Sequence, residues 1–151
     1  MSLTSGNYTI TTRRAGYPVG RNIAEDSSLR PKKVVILGPG VDRPVWAIEK
    51  LGDGLYTMKT RHGAAADIES KLFAVLVDEP EPTKWRIEPQ FNLGKNLYII
   101  GSANRSRIGW NLPEESEKEI GIQIRVGPLT GIPSVPSWYP TNELFEIIRL
   151  D

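Results

Sequence analysis

Gly54-Leu55-Tyr56-Thr57-Met58-Lys59-Thr60 echoes an earlier stretch, Gly6-Asn7-Tyr8-Thr9-Ile10-Thr11-Thr12, and is echoed more loosely by Asn96-Leu97-Tyr98-Ile99-Ile100. The tyrosines fall 48 and then 42 residues apart, a recurrence that marks internal repeats. A second motif runs in step with the first: Val45-Trp46-Ala47-Ile48-Glu49, Lys84-Trp85-Arg86-Ile87-Glu88 and Leu144-Phe145-Glu146-Ile147-Ile148. In each copy two large apolar residues sit two apart, as in Tyr8/Ile10, Trp46/Ile48 and Phe145/Ile147. That spacing puts each pair on one face of a strand.

Between these six strands lie further β-branched runs at 33–37, 72–77 and 120–126, each read as a strand. Short pieces at Val19-Gly20-Arg21, Ala66-Asp67-Ile68 and Ile108-Gly109-Trp110 complete a set of four per repeat. Asp53-Gly54 between two alternating runs is a hairpin signal that pairs the first Trp strand with the second Tyr strand. Twelve short strands in three similar units, with no helical period, are best protected at their edges by a closed barrel capped with hairpins. The expected fold is therefore all-β, a β-trefoil of three pseudo-repeats in a single domain spanning 1–151. A two-sheet sandwich would also give many short strands but would not require threefold spacing.

Composition narrows the function. With 19 Lys and Arg against 18 Asp and Glu, the net charge of +1 gives no field to attract a phosphate backbone, so nucleic acid is not an expected partner. No apolar run approaches the length of a membrane span and none resembles a leader, so the chain is expected to be cytoplasmic, monomeric and away from membranes. The absence of cysteine removes disulfides and thiolate chemistry.

No residue set suggests catalysis. His62 is the sole histidine and lies in a polar turn, no Gly-x-Ser-x-Gly elbow occurs, and a single histidine without cysteine cannot build a tetrahedral zinc site. The acidic run 114–119 lacks the ligand spacing of an EF-hand, and Gly38-Pro39-Gly40 lacks the lysine of a phosphate-binding loop. Asn7-Tyr8-Thr9 and Asn104-Arg105-Ser106 match the glycosylation pattern, and a cytosolic chain would not use them. A non-enzyme without metal or cofactor is expected.

Function then falls to the connections, where a rigid scaffold carries its variable residues. One is 22–31, whose ends are marked by Arg21 and Lys32. Another is 127–142, with Pro128, Pro133, Pro136 and Pro140, interspersed apolar residues and no charge. The second suits either a pre-organised apolar binding loop or a rigid cover over one end of the barrel, and the cover is favoured because apolar loop residues often pack as satellite core. Arg105 and Arg107 form a third, basic candidate, better read as a solvated turn.

The opening Met1-Ser2-Leu3 with Ser5-Gly6 and Tyr8-Thr9-Ile10, then Ala24-Glu25-Asp26, Ser28-Leu29, Pro31-Lys32, Tyr139-Pro140, Asn142-Glu143 and Phe145-Glu146-Ile147, resemble the mushroom serine protease inhibitors of the cospin and cnispin type. The resemblance spans nearly the whole chain. It implies a cytosolic β-trefoil of fungal fruiting bodies that inhibits trypsin-like serine proteases and defends against animals that eat the fungus. Members do not share one inhibitory loop, so the loop is chosen here on its own physics. Trypsin's primary pocket carries an aspartate and favours Arg or Lys, and 127–142 contains neither. The protease-binding loop is therefore placed at Glu25, Asp26, Ser27, Ser28, Leu29 and Arg30, where Arg30 has the right charge and precedes Pro31. A carbohydrate-binding trefoil is the second reading, weakened because no Gln-x-Trp motif appears, and a cysteine protease inhibitor is the third.

Overall fold

In the computed structural model the described residues are 3–14, 16–22, 25–77, 83–113 and 120–150. Twelve strands run in order: β1 Gly6–Thr12, β2 Val19–Arg21, β3 Lys32–Ile36, β4 Trp46–Gly52, β5 Leu55–Thr60, β6 Gly63–Ile68, β7 Lys71–Val75, β8 Trp85–Pro89, β9 Leu97–Ser102, β10 Ile108–Asn111, β11 Arg125–Pro128 and β12 Phe145–Arg149. Among the described residues a single 3-10 turn, Thr141–Glu143, precedes β12.

Six of the strands close a ring. β1 pairs β4, β4 pairs β5, β5 pairs β8, β8 pairs β9, β9 pairs β12, and β12 returns to β1, all antiparallel. Closure satisfies every edge of the barrel from within the chain. The other six form three hairpins, β2–β3, β6–β7 and β10–β11, joined at one end because β7 pairs both β3 and β11. Barrel plus triangular cap is the β-trefoil expected from the repeats.

The register shows why the repeats carry these residues. Tyr8 stands opposite Trp46, Tyr56 opposite Trp85 and Tyr98 opposite Phe145. One step along, Ile10 faces Ile147, Ile48 faces Met58 and Ile87 faces Ile100. The two sequence motifs are thus the two sides of the same cross-strand pairs, and all twelve residues are buried. Alternation does the sorting: in β8, Trp85 and Ile87 point inward while Arg86 and Glu88 face out. At the β4–β5 turn, Asp53 and Gly54 both take positive φ, 48° and 75°, the conformation that makes Asp-Gly favourable there.

Trp110, in a strand read from sequence only as a fragment, occupies the centre. Its ring lies 5.7 Å from Trp46, 5.6 Å from Trp85 and 5.9 Å from Phe145, tilted or edge-on to each. Such geometry sets the positive edge of one ring against the negative face of another. Trp46 and Trp85 donate their Nε1–H groups to the carbonyls of Val19 and Ala65, at 2.8 and 3.1 Å, and so bolt the cap to the barrel. The phenylalanine of the third repeat has no such donor, and the Nε1–H of Trp110 finds no acceptor among the described residues.

One expectation is corrected. The run 120–126 is not a strand throughout: β11 begins at Arg125. Gly121 and Ile122 instead exchange backbone hydrogen bonds with Ile36, and Ile124 donates to Val34, so the segment threads alongside β3 with only an isolated bridge at Gln123. Ile124 is buried in the cap and Ile122 packs partly against the core, while Ile120 is exposed, so none of the three needs a regular ladder. The acidic run 114–119 lies outside the described residues.

Trp46→Ala and Trp85→Ala should each lower the unfolding free energy by about 3 to 5 kcal/mol, measured by urea denaturation. Trp46→Phe should cost about 1 kcal/mol more than Trp110→Phe, since only the first leaves a buried carbonyl without its donor. Losses below about 1 kcal/mol at both alanine sites would show that these indoles do not carry the core.

Candidate protease-binding loops

The connection from β2 to β3 is gripped from both ends by buried cations. Arg21, the last residue of β2 and 7% exposed, donates Nε to Glu25 Oε2 at 2.8 Å and Nη2 to Glu25 Oε1 at 2.5 Å. Its remaining nitrogen, Nη1, donates to the carbonyl of Arg61 at 2.7 Å, tying the loop base to the β5–β6 turn. The fork geometry of a guanidinium is what allows one side chain to hold a carboxylate and a carbonyl at once. Lys32, the first residue of β3 and 6% exposed, donates to the carbonyl of Asp26 at 3.0 Å and to its Oδ1 at 2.5 Å.

Asp26 organises the turn itself. Its Oδ1 also accepts from the backbone N–H and the hydroxyl of Ser28, at 3.0 and 2.6 Å, and Ser28 Oγ accepts from the backbone N–H of Arg30 at 3.3 Å. These bonds form an Asx turn followed by a serine turn, local structures that Asp and Ser favour over strand pairing. The hydrogen bond from Lys32, and then those from Ser28, hold the Asp26 carboxyl well below the usual carboxylate range. With Glu25, Asp26 and Ser28 committed, Ser27, Leu29 and Arg30 are left facing solvent, Leu29 at 70% exposure. The six residues chosen from sequence therefore divide into three that brace and three that project.

The proline-rich connection does not cover the barrel as a whole. Leu129 and Tyr139 at its base pack with Leu97, Ile99 and Leu144 as a satellite cluster, but between them the chain leaves the surface. Ile132 and Trp138 exchange backbone hydrogen bonds at 2.6 and 2.9 Å and are half exposed, while Val135 at the bend is 99% exposed. The Val135–Pro136 peptide is cis. The favoured reading as a cover thus holds for the base only, because the narrow hairpin lifts the tip beyond reach of the core.

This second loop also has a charged brace, which the sequence did not reveal. Glu143, 1% exposed, accepts hydrogen bonds from the backbone and hydroxyl of Thr130, at 2.8 and 2.6 Å, and from the N–H of Gly131 at 3.0 Å. Arg107 donates to the carbonyl of Gly131 at 2.6 Å, and Asn92 to that of Ser137 at 2.7 Å, while the Ser137 hydroxyl donates to Gln90. Arg105 pairs with Asp67. The third candidate set by sequence, Arg105 and Arg107, is accordingly engaged within the chain. His62 sits exposed in the β5–β6 turn with φ 68°. Among the described residues no group of three His, Asp or Glu is placed to hold a metal ion.

The relatives of this capped barrel are protease inhibitors and not enzymes. The chain belongs to the peptidase inhibitor I66 family, whose model matches residues 1–149. It is 39% identical over 152 residues to a serine protease inhibitor of Lentinula edodes, covering 99% of this chain and 100% of that one. The structure of a proteinase inhibitor from Coprinopsis cinerea superposes with a TM-score of 0.85 at 34% identity, over 99% of this chain and 100% of that one. A designed threefold-symmetric protein, with TM-score 0.72 and 19% identity over 96% of this chain and 99% of its own, shares the fold alone.

Because the carboxyl of Asp26 is depressed, its bracing is present above the pKa of a free aspartate and is lost only as pH falls through the folded value. NMR titration of the Asp26 side chain should give a midpoint well below the ordinary 3.8. In Lys32→Met the midpoint should move back toward that value, and an unchanged midpoint would mean that Lys32 does not hold the loop.

Proposed function

We propose that the chain inhibits trypsin-like serine proteases by presenting residues 25–30, with Arg30 as the side chain that meets the aspartate of the primary pocket. The observation that carries this reading is the double clamp of Arg21 on Glu25 and Lys32 on Asp26, which leaves Ser27, Leu29 and Arg30 projecting from a loop already held in shape. A loop ordered before binding loses little conformational freedom on docking, which is where inhibitors of ordinary interface size gain their affinity. Family membership supports a protease as the partner. Pro31 supports resistance to turnover, since it fixes the backbone after Arg30 and biases Arg30 itself toward an extended conformation.

The reading extends to a monomeric inhibitor kept in the cytosol and acting when the tissue is eaten. A fold without cysteine is suited to a reducing compartment.

Titration of active trypsin should reach complete, reversible inhibition at one chain per enzyme. Replacing Ser27, Ser28 and Leu29 together by glycine should weaken binding more than tenfold, about 1.4 kcal/mol, with thermal unfolding nearly unchanged. Arg30→Ala should weaken it further, and Arg105→Ala should leave it intact. Trypsin unaffected by a large excess of the chain would end this reading.

A further inference from the structure

We propose that a pocket on the outer wall of the barrel, where β8 and β9 meet the turn before β10, binds a small amphipathic monocarboxylate whose apolar body lies on Ile99, Leu129 and Tyr139 and whose carboxylate meets Arg86. The inference is independent of protease inhibition and of the loop assigned to it.

The first observation is the room itself. The pocket has a volume of about 400 Å³, within the range of small-ligand sites and ample for one ring on a short arm. It exists because the threefold pattern is broken on the outer face of the barrel. The register makes Thr11, Lys59 and Gly101 equivalent, standing opposite Glu146, Ala47 and Arg86 in turn. In the third repeat alone that position has no side chain. Gly101 is outside the left-handed region, and a Cβ there would meet nothing closer than the carbonyl of Ile108 at 3.4 Å. Neither strain nor crowding therefore requires glycine at 101, and its effect is to leave the wall hollow.

The second observation is the division of the lining into an apolar floor and a charged rim. Ile99 projects outward from β9 yet is 5% exposed, because Leu129 and Tyr139 pack beside it. A ring laid on these three would remove its apolar surface from water. At the rim, Arg105 is answered by Asp67, but Arg86 is exposed and has no partner among the described residues. Arg107 meets only the carbonyls of Leu129 and Gly131 and has no carboxylate within ion-pair distance among the described residues. A guanidinium offers a carboxylate two parallel hydrogen bonds, and Arg86 has both to give. The Tyr139 hydroxyl has no hydrogen-bond partner among the described residues either, and burial, which pushes its pKa up, keeps it a donor.

The third observation limits the charge of the ligand. Glu88 faces outward two residues beyond Arg86 on the same strand and lines the same pocket, so a head group with several negative charges would be repelled. A neutral sugar would leave Arg86 unanswered and would put hydroxyl groups against an apolar floor. One negative charge on an apolar body satisfies both parts of the lining.

The test is calorimetric titration of the full chain with 3-phenylpropionate, with its amide, with acetate and with methyl β-galactoside. The carboxylate should bind one per chain, with the amide and acetate each at least tenfold weaker, since each lacks either the charge or the ring. On binding, NMR signals of the Gly101 amide and the Leu129 methyl groups should shift. Arg86→Gln should weaken binding about tenfold or more with thermal unfolding unchanged, because the side chain has no partner in the free protein. Gly101→Leu should abolish binding by filling the pocket, and Lys59→Gln, at the equivalent place in the second repeat, should leave it intact. The inference is overturned if 3-phenylpropionate does not saturate the chain at about 10 mM, a Kd weaker than any specific site of this size would give. It is also overturned if the amide binds as tightly as the acid, if Arg86→Gln binds as the wild type does, or if the galactoside alone saturates the pocket.

Discussion

The packing of Trp110 against Trp46, Trp85 and Phe145 is the constraint on which the rest depends. Each of the three outer rings comes from the strand that ends a repeat, and each stands across a barrel pairing from a tyrosine that begins one. The central indole fills the space that three equivalent rings would otherwise leave at the join of barrel and cap. A void there would forfeit dispersion contacts on all three sides. Perfect threefold symmetry is therefore broken where it is most tightly packed, because a single point on the axis can hold only one side chain.

With the barrel closed and its core filled, the loops no longer have to contribute to stability, and charged residues can be used to shape them. The two loops use the same device with different parts. In 25–30 the clamps are cations on the strand ends, Arg21 and Lys32, acting on acidic loop residues. In 131–138 the clamp is an acid, Glu143, acting on backbone donors, with Arg107 closing the opposite polarity. Both place the fixed charges at the feet of the loop and leave an apolar side chain exposed beyond them, Leu29 in one and Val135 in the other. Shape is set below, and chemistry is displayed above.

The fold alone would not have separated an inhibitor from a lectin. A Rhizoctonia solani agglutinin shares the architecture with a TM-score of 0.71 at 14% identity, over 99% of each chain, which speaks for the barrel and cap and for nothing on the loops. What distinguishes this chain is family membership over residues 1–149.

The repeated Tyr and Trp motifs made the trefoil legible, since period-two alternation and threefold recurrence are local properties written directly in residue order. Arg21 and Lys32 were visible too, as charges bracketing a polar loop, although their grip on Glu25 and Asp26 was not. Glu143 and Trp110 were hidden for a different reason. Glu143 meets Thr130 and Gly131 across the loop, and Trp110 meets rings far from it in the chain, so neither leaves a pattern in its own neighbourhood. The irregular path of 120–124 was misread because a buried residue such as Ile124 can be packed in the cap without belonging to a ladder. By itself the sequence determined which residues face inward. Which loop tips stand clear of the surface, and what holds them there, was decided only when strand closure brought distant side chains together.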